Sequence, residues 1–257
     1  MKTSLYEFYK ENSIKSNDVI TIINGFQTND DIILKENDEI IFIKKNIIPS
    51  KYEFETLMKA RYSSPVFEKL KNAKVAILGL GGLGSNIAIN LARTGVYNLH
   101  LIDFDIVEPT NLNRQQYKIK HLGMYKTEAL KMEIKEINPY INVTEDNIKV
   151  DPSNFKNLVE NDDIICEAFD NKEDKSMLVN AHFQYYPQKK LVAASGMAGY
   201  ESSNNIITRK ISNNFYICGD GISESKIGNS LMAPRVSICA GHESNMIIRL
   251  ILGINEI

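Results

Sequence analysis

The chain has 257 residues, 43% of them hydrophobic, enough for one large domain or a domain with a small companion. With 30 basic and 32 acidic residues the net charge is −2, which argues against nucleic acid as the main partner. There is no apolar signal core at the N-terminus and no apolar run near the ~18 residues of a membrane span, and three cysteines without a C-x-x-C pair point to a reducing compartment, so a cytoplasmic protein is expected.

The first elements form a small group. Residues 5–10 suit a short helix, residues 19–23 (Val-Ile-Thr-Ile-Ile) a β-branched strand, and Asn24-Gly25 a hairpin turn. A second strand is expected at 39–43, after the polar turn Lys35-Glu36-Asn37-Asp38. Residues 1–48 thus predict a partial β-grasp lobe, marginal alone at this size. Pro49-Ser50 marks a boundary, and 49–73 reads as a linker and helical arm interrupted by Pro65.

From residue 74 strands and helices alternate. Strands are expected at 75–78, 98–103, 141–144, 163–168 and 191–194, with helices at 82–94, 126–137 and 173–185 and a short one opening at Asp151-Pro152. This rhythm predicts an α/β fold over 74–257, a Rossmann-like, mostly parallel sheet with helices on both faces. Residues 205–210 and 214–218 alternate and predict an antiparallel extension, and a helix at 236–252 follows.

The turn Gly79-Leu80-Gly81-Gly82-Leu83-Gly84-Ser85 follows a strand and opens a helix. Gly79 suits the tight turn, Gly81 the close approach of a phosphate and Gly84 helix–strand packing; the helix start near Gly82 offers free N–H groups to an anion. Asp103, at the end of the second strand, is placed to accept hydrogen bonds from a ribose, and alone it would suit NAD equally well. Asn111, Asn113 and Arg114, with Lys126 opening the next helix, favour a triphosphate: a guanidinium bridges phosphate oxygens and a second cation stands near. Asp170-Asn171 follows the fourth strand, where a carboxylate can hold Mg²⁺ beside phosphates; Asp170 also suits the N-cap of the following helix.

As an ordered set, residues 79–85, Asp103-Phe104-Asp105, Asn111-Leu112-Asn113-Arg114-Gln115-Gln116, Gly123 with Lys126, Asn138-Pro139 and Asp170-Asn171 resemble the ThiF/MoeB/ubiquitin-activating superfamily over residues 58–253. Arg114-Gln115-Gln116-Tyr117 and Ala233-Pro234-Arg235-Val236 are most similar to its ThiF branch, linked to thiamine biosynthesis. The resemblance implies a homodimeric adenylyltransferase that uses ATP and Mg²⁺ to activate the C-terminal carboxylate of a ThiS-like sulfur carrier, releasing pyrophosphate. It implies that Gly82 lines the nucleotide, Asp103 holds the ribose, Asn111, Arg114 and Lys126 grip the phosphates, and Asp170 binds Mg²⁺. It further implies an arginine supplied across the dimer from an Arg-Tyr motif, which Arg61-Tyr62 matches.

Many relatives carry two C-x-x-C pairs for zinc; Cys218 and Cys239 cannot supply them, and no zinc is expected. Cys218 is the only cysteine placed to act as a nucleophile, with a structural role favoured. The segments at 3–8, 22–25 and 36–42 resemble part of the carrier itself, but its opening hairpin is missing and Lys45-Asn46-Ile47-Ile48-Pro49 stands where the carrier has Gly-Gly, so this lobe is expected to be degenerate. Three other readings stay open: the same chemistry on a peptide or a tRNA-modification substrate, an NAD-dependent oxidoreductase, and a non-catalytic nucleotide-binding scaffold.

Overall fold

The computed structural model describes residues 3–257, which form two compact units divided between residues 68 and 69. In the first, α1 (Leu5–Glu11) starts at a capping box: the Ser4 hydroxyl accepts from the Glu7 N–H, and the Glu7 carboxylate accepts from the Ser4 N–H. β1 (Val19–Ile23) and β2 (Phe26–Thr28) flank the Asn24-Gly25 turn as expected, and β3 (Ile40–Lys44) pairs with β1 on its other side, all antiparallel in the order β2-β1-β3. Leu5, Tyr9 and Ile23 form the core, with Ile40 and Phe42 packed against them. α2 (Lys51–Tyr62) follows, and α3 (Ser64–Asn72) crosses the boundary between the units, carrying Pro65 in its first turn, where a missing N–H removes no helix bond.

The second unit is built on a seven-stranded sheet. In chain order its elements are β4 (Lys74–Leu78), α4 (Gly82–Thr94), β5 (Asn98–Ile102), α5 (Lys126–Ile137), β6 (Asn142–Asp146), α6 (Phe155–Leu158), β7 (Ile164–Glu167), α7 (Lys172–Tyr185), β8 (Lys190–Ala194), β9 (Ile207–Ser212), β10 (Phe215–Gly219) and α8 (Ala233–Ile251). The order is β6-β5-β4-β7-β8-β10-β9, parallel except for β9. β10 does both jobs: it pairs antiparallel with β9, as the alternation predicts, and parallel with β8.

The central strands are apolar because helices cover both faces. Ala76, Leu78, Ile165, Leu191 and Ala193 pack against Phe155, Val159, Leu178 and Ala181 of α6, the turn after it and α7. α4 and α8 pack against each other elsewhere in the unit. One expected start is corrected. Asp151-Pro152 does not open a helix; the Asp151 carboxylate accepts from the Ser153 and Asn154 N–H groups and closes a turn, and α6 begins only at Phe155.

The chain runs β4-β5-β6 to one side and β7-β8 to the other. The strand order therefore reverses between β4 and β7, and the crevice outside their carboxyl ends is the expected ligand position of such a sheet.

Candidate active site

Sequence forces the turn after β4 into close quarters. Gly79 has φ +89, and a Cβ there would lie 2.8 Å from the Ala168 carbonyl oxygen beyond β7. A Cβ on Gly84 would lie 1.8 Å from the Gly79 carbonyl oxygen, so only glycine lets α4 start this near the strand. Gly81 is the N-cap of α4 and supplies no side-chain cap. The first N–H groups of the helix are left for another acceptor.

The segment from Pro109 to Tyr117 is laid over that helix start. The missing Cβ of Gly82 lies 3.5 Å from Arg114 Cγ and 3.6 Å from Cδ, so the arginine stem rests on the first turn. Arg114 Nη1 donates to the Thr110 carbonyl (3.1 Å) and Asn113 Oδ1 (2.9 Å), while its buried Nε has no partner among the described residues. Asn111 is buried and spends Oδ1 on the Glu108 N–H (3.0 Å). Asn86, not anticipated from sequence, clamps the two pieces together: its Nδ2 donates to the carbonyls of Gly82 (2.6 Å) and Arg114 (3.1 Å). Gln115 is buried beside Gly81 with Oε1 unpartnered among the described residues, and the Tyr117 hydroxyl donates to the Leu80 carbonyl (2.8 Å).

Asp103 is held rigidly. Its Oδ2 accepts from the Leu80 N–H (2.6 Å) and Oδ1 from the Asp105 N–H (2.8 Å). Burial raises its pKa above the ordinary carboxylate value, with the Lys126 cation acting in the opposite direction. Lys126 opens α5 and is buried; its Nζ donates to Asp105 Oδ2 (2.7 Å) and stands 3.9 Å from Asp103 Oδ2. Asp105 as the partner of this lysine is missed in the sequence, where it reads as one more acid beside Asp103.

On the far side of the crevice, Asp170 is exposed beyond the end of β7 and accepts no hydrogen bond among the described residues. The expected N-cap role belongs to Asn171 instead: its Oδ1 accepts from the Asp174 N–H (2.7 Å) and its Nδ2 donates to Asp174 Oδ2 (2.6 Å). That assignment leaves the Asp170 carboxylate uncommitted. Just before it, buried Glu167 accepts from the Phe169 N–H (2.8 Å) and from Lys175 Nζ (2.9 and 3.0 Å). Lys175 also donates to the Ala194 carbonyl (3.1 Å), tying the ends of β7 and β8. Burial raises the Glu167 pKa, and Lys175 opposes it. An isolated glutamate in an apolar run gave no cue to this buried pair.

Arg61 is exposed in the last turn of α2, within the first unit. Cys166, Cys218 and Cys239 are all buried. Cys218 lies near the end of β10, 3.5 Å from Thr208 Oγ1, and burial pushes its thiol up to about 12. That makes it a poor nucleophile near neutral pH. Among the described residues no group of three or more His, Cys, Asp or Glu side chains is arranged to hold a metal ion. Asp170 alone fits the habit of Mg²⁺, which takes one or two carboxylates and completes its shell with phosphates and water. No described helix is long and apolar enough to cross a membrane.

The crevice thus combines open helix amides, a guanidinium lying on the helix start, a buried ammonium and a carboxylate on the opposite rim. The profile of the ThiF family matches residues 55–257. The chain belongs to the ThiF family. A ThiS-like ubiquitin profile matches residues 1–46. Among curated ThiF relatives, a molybdopterin-synthase adenylyltransferase of Haemophilus influenzae is 41% identical over 112 residues, 43% of this chain and 46% of its own. A probable adenylyltransferase/sulfurtransferase MoeZ of Mycobacterium tuberculosis is 36% identical over 105 residues, 40% of this chain and 27% of its own. The chain spans less than half the length of these relatives. Among solved structures, E. coli tRNA N6-threonylcarbamoyladenosine dehydratase, TcdA, in complex with AMP, aligns with TM-score 0.71 and 20% identity over 80% of this chain and 98% of its own. E. coli MccB with ATP aligns with TM-score 0.58 and 26% identity over 83% and 67%.

Proposed function

We propose that this ThiF-family chain is an ATP-dependent adenylyltransferase whose acceptor is the C-terminal carboxylate of a ThiS-like sulfur carrier, in the branch that serves thiamine biosynthesis. One observation carries the reading: Arg114 rests on the uncapped start of α4 at the switch point, Lys126 is buried against Asp105 just beyond β5, and Asp170 is exposed beyond β7. Curated relatives named as adenylyltransferases and solved neighbours with AMP or ATP support it. So does the ThiS-like match at 1–46, and because Lys45-Asn46-Ile47-Ile48-Pro49 lacks Gly-Gly, the acceptor carboxylate comes from another chain.

In this reading a carboxylate oxygen of the carrier attacks the α-phosphorus of ATP. The new bond is C–O–P; the bond broken is that from the α-phosphorus to the bridging oxygen, whose electron pair leaves with pyrophosphate. The nucleophile is already an anion, so no base is required. The chain's work is positioning and charge stabilisation. Gly79, Gly81, Gly82 and Gly84 shape the phosphate cradle, Asp103 receives the ribose, and Asn111, Asn113, Arg114 and Lys126 face the phosphates. Asp170, beside Asn171, would hold Mg²⁺, which when bound neutralises phosphate oxygens. Arg61 would act across a homodimer.

The test is carrier-dependent exchange of labelled pyrophosphate into ATP. Arg114→Ala and Asp170→Ala are expected to lose it by about 100-fold or more. Full exchange in both variants overturns the residue roles. AMP release with a peptide or an RNA acceptor, but none with a ThiS-like carrier, overturns the acceptor.

A further inference from the structure

β3 ends the sheet of the first unit, and the hydrogen-bond phase shows what its outer edge offers. β1 and β3 pair as Ile20 with Ile43 and Ile22 with Ile41. At the two ends of this ladder the Asn24 N–H donates to the Glu39 carbonyl and the Lys45 N–H to the Asp18 carbonyl, both at 2.9 Å. Alternation then commits residues 39, 41, 43 and 45 to β1, and the main-chain groups of Ile40, Phe42 and Lys44 point outward. Edge strands are usually blunted by proline, bulges or inward charges. Here β3 carries no proline, its register with β1 is unbroken, and its one charge, Lys44, stands at its last residue.

The charges at the two ends of the strand are opposite. Glu39 stands before it and Lys45 after it, both exposed, and neither side chain has an ion-pair partner among the described residues. Six residues of extended chain separate them by roughly 20 Å, so they cannot meet within one copy. In a second copy running antiparallel they can. The outward groups allow only registers that pair even-numbered residues with even-numbered ones. The register centred on Phe42 sets Phe42 opposite Phe42, Ile41 opposite Ile43, and Glu39 opposite Lys45 at both ends. Centring on Ile41 would set Asp38 against Lys44, but the Asp38 carboxylate already accepts from Asn24 Nδ2 and the Lys35 N–H, both at 2.7 Å. Centring on Ile43 leaves Glu39 opposite Ile47.

We propose that a second copy of this chain pairs with the outer edge of β3, antiparallel about a two-fold axis at Phe42, so that two three-stranded sheets become one continuous sheet. Such an interface is isologous and closed: each Glu39 meets the partner's Lys45, and the edges are used up.

The experiment uses the full-length chain. The three native cysteines are buried, so introduced thiols report the contact. The variant E39C/K45C is expected to form a disulfide-linked dimer under mild oxidation, whereas E39C and K45C alone stay monomeric on a denaturing gel because like positions lie far apart across the axis. The proposal is overturned if E39C/K45C stays unlinked while its new thiols react with a maleimide, or if the single-cysteine variants link equally well. Linkage of either single-cysteine variant only to an added carrier that bears an introduced surface cysteine would assign the edge to that partner and overturn self-pairing.

Discussion

Lys126 Nζ stands 2.7 Å from Asp105 Oδ2 and only 3.9 Å from Asp103 Oδ2, so one buried ammonium serves two acids at the end of β5. Phosphates arriving at the α4 start would compete for the same cation. Lys126→Met is therefore expected to lower pyrophosphate exchange by about 100-fold, because it removes the phosphate partner proposed above and leaves Asp103 and Asp105 facing each other unneutralised. Asp105→Asn keeps the hydrogen-bonding shape and frees the ammonium, so its loss should be under about tenfold. Equal losses in the two variants would show that Lys126 matters for the acids and not for the nucleotide.

The glycine turn separates two causes of strain. Gly84→Ala is expected to destabilise the fold by about 3 kcal/mol or more, since its Cβ would sit 1.8 Å from the Gly79 carbonyl oxygen and backbone must move. Gly123 has φ +83 with nothing within 4 Å of an added Cβ, so Gly123→Ala should cost about 1 kcal/mol, from conformation alone. Urea unfolding of both variants measures the difference. Similar losses would contradict the packing at Gly84.

Buried thiols make a third prediction. Cys166, Cys218 and Cys239 should resist alkylation at pH 8 in the folded protein and all react once it is unfolded, because burial raises each thiol and Cys218 stands at about 12. Cys218→Ala should keep pyrophosphate exchange within about threefold. A rapidly labelled thiol in the native protein, or loss of exchange in Cys218→Ala, would return Cys218 to the list of nucleophiles.

Much of this could be read from the residues, and the limits have physical reasons. α4 and α5 begin and end where periodicity and punctuation place them, because Gly95 in a left-handed conformation and Asn138-Pro139 are local signals. The parallel pairing of β10 with β8 is not local: nothing in residues 214–218 records which strand lies beside them. The same holds within the crevice. Asn86 and Glu167 act through partners 28 residues ahead and 8 residues ahead, brought close only by the folded helix–strand layers. At Asp151-Pro152 a true capping signal was present, but the carboxylate closes a turn before the helix starts.

Two histidines of the second unit predict the pH profile of stability. His182 is fully buried on α7, neither ring nitrogen has a hydrogen-bond partner among the described residues, and burial together with the Lys189 charge lowers its pKa to about 4 from 6.5. The unfolded chain then binds a proton that the folded one refuses between pH 6.5 and about 4, so stability falls as pH drops through that window and levels off below it. The loss amounts to about 3 kcal/mol for this shift. His100 acts on the other side. Burial pulls its pKa down, but Asp162 on Nδ1 (2.9 Å) and Asp146 on Nε2 (2.8 Å) outweigh this and raise it above 6.5. Its contribution is fully present below 6.5 and is lost as pH rises through the folded value. His182→Leu should flatten the acid limb and leave the neutral-to-alkaline limb intact, while His100→Gln should do the reverse. Urea midpoints measured from pH 4 to 8.5 on the three proteins decide it; an acid limb unchanged in His182→Leu would mean that the carboxylates, not this imidazole, set stability below neutrality.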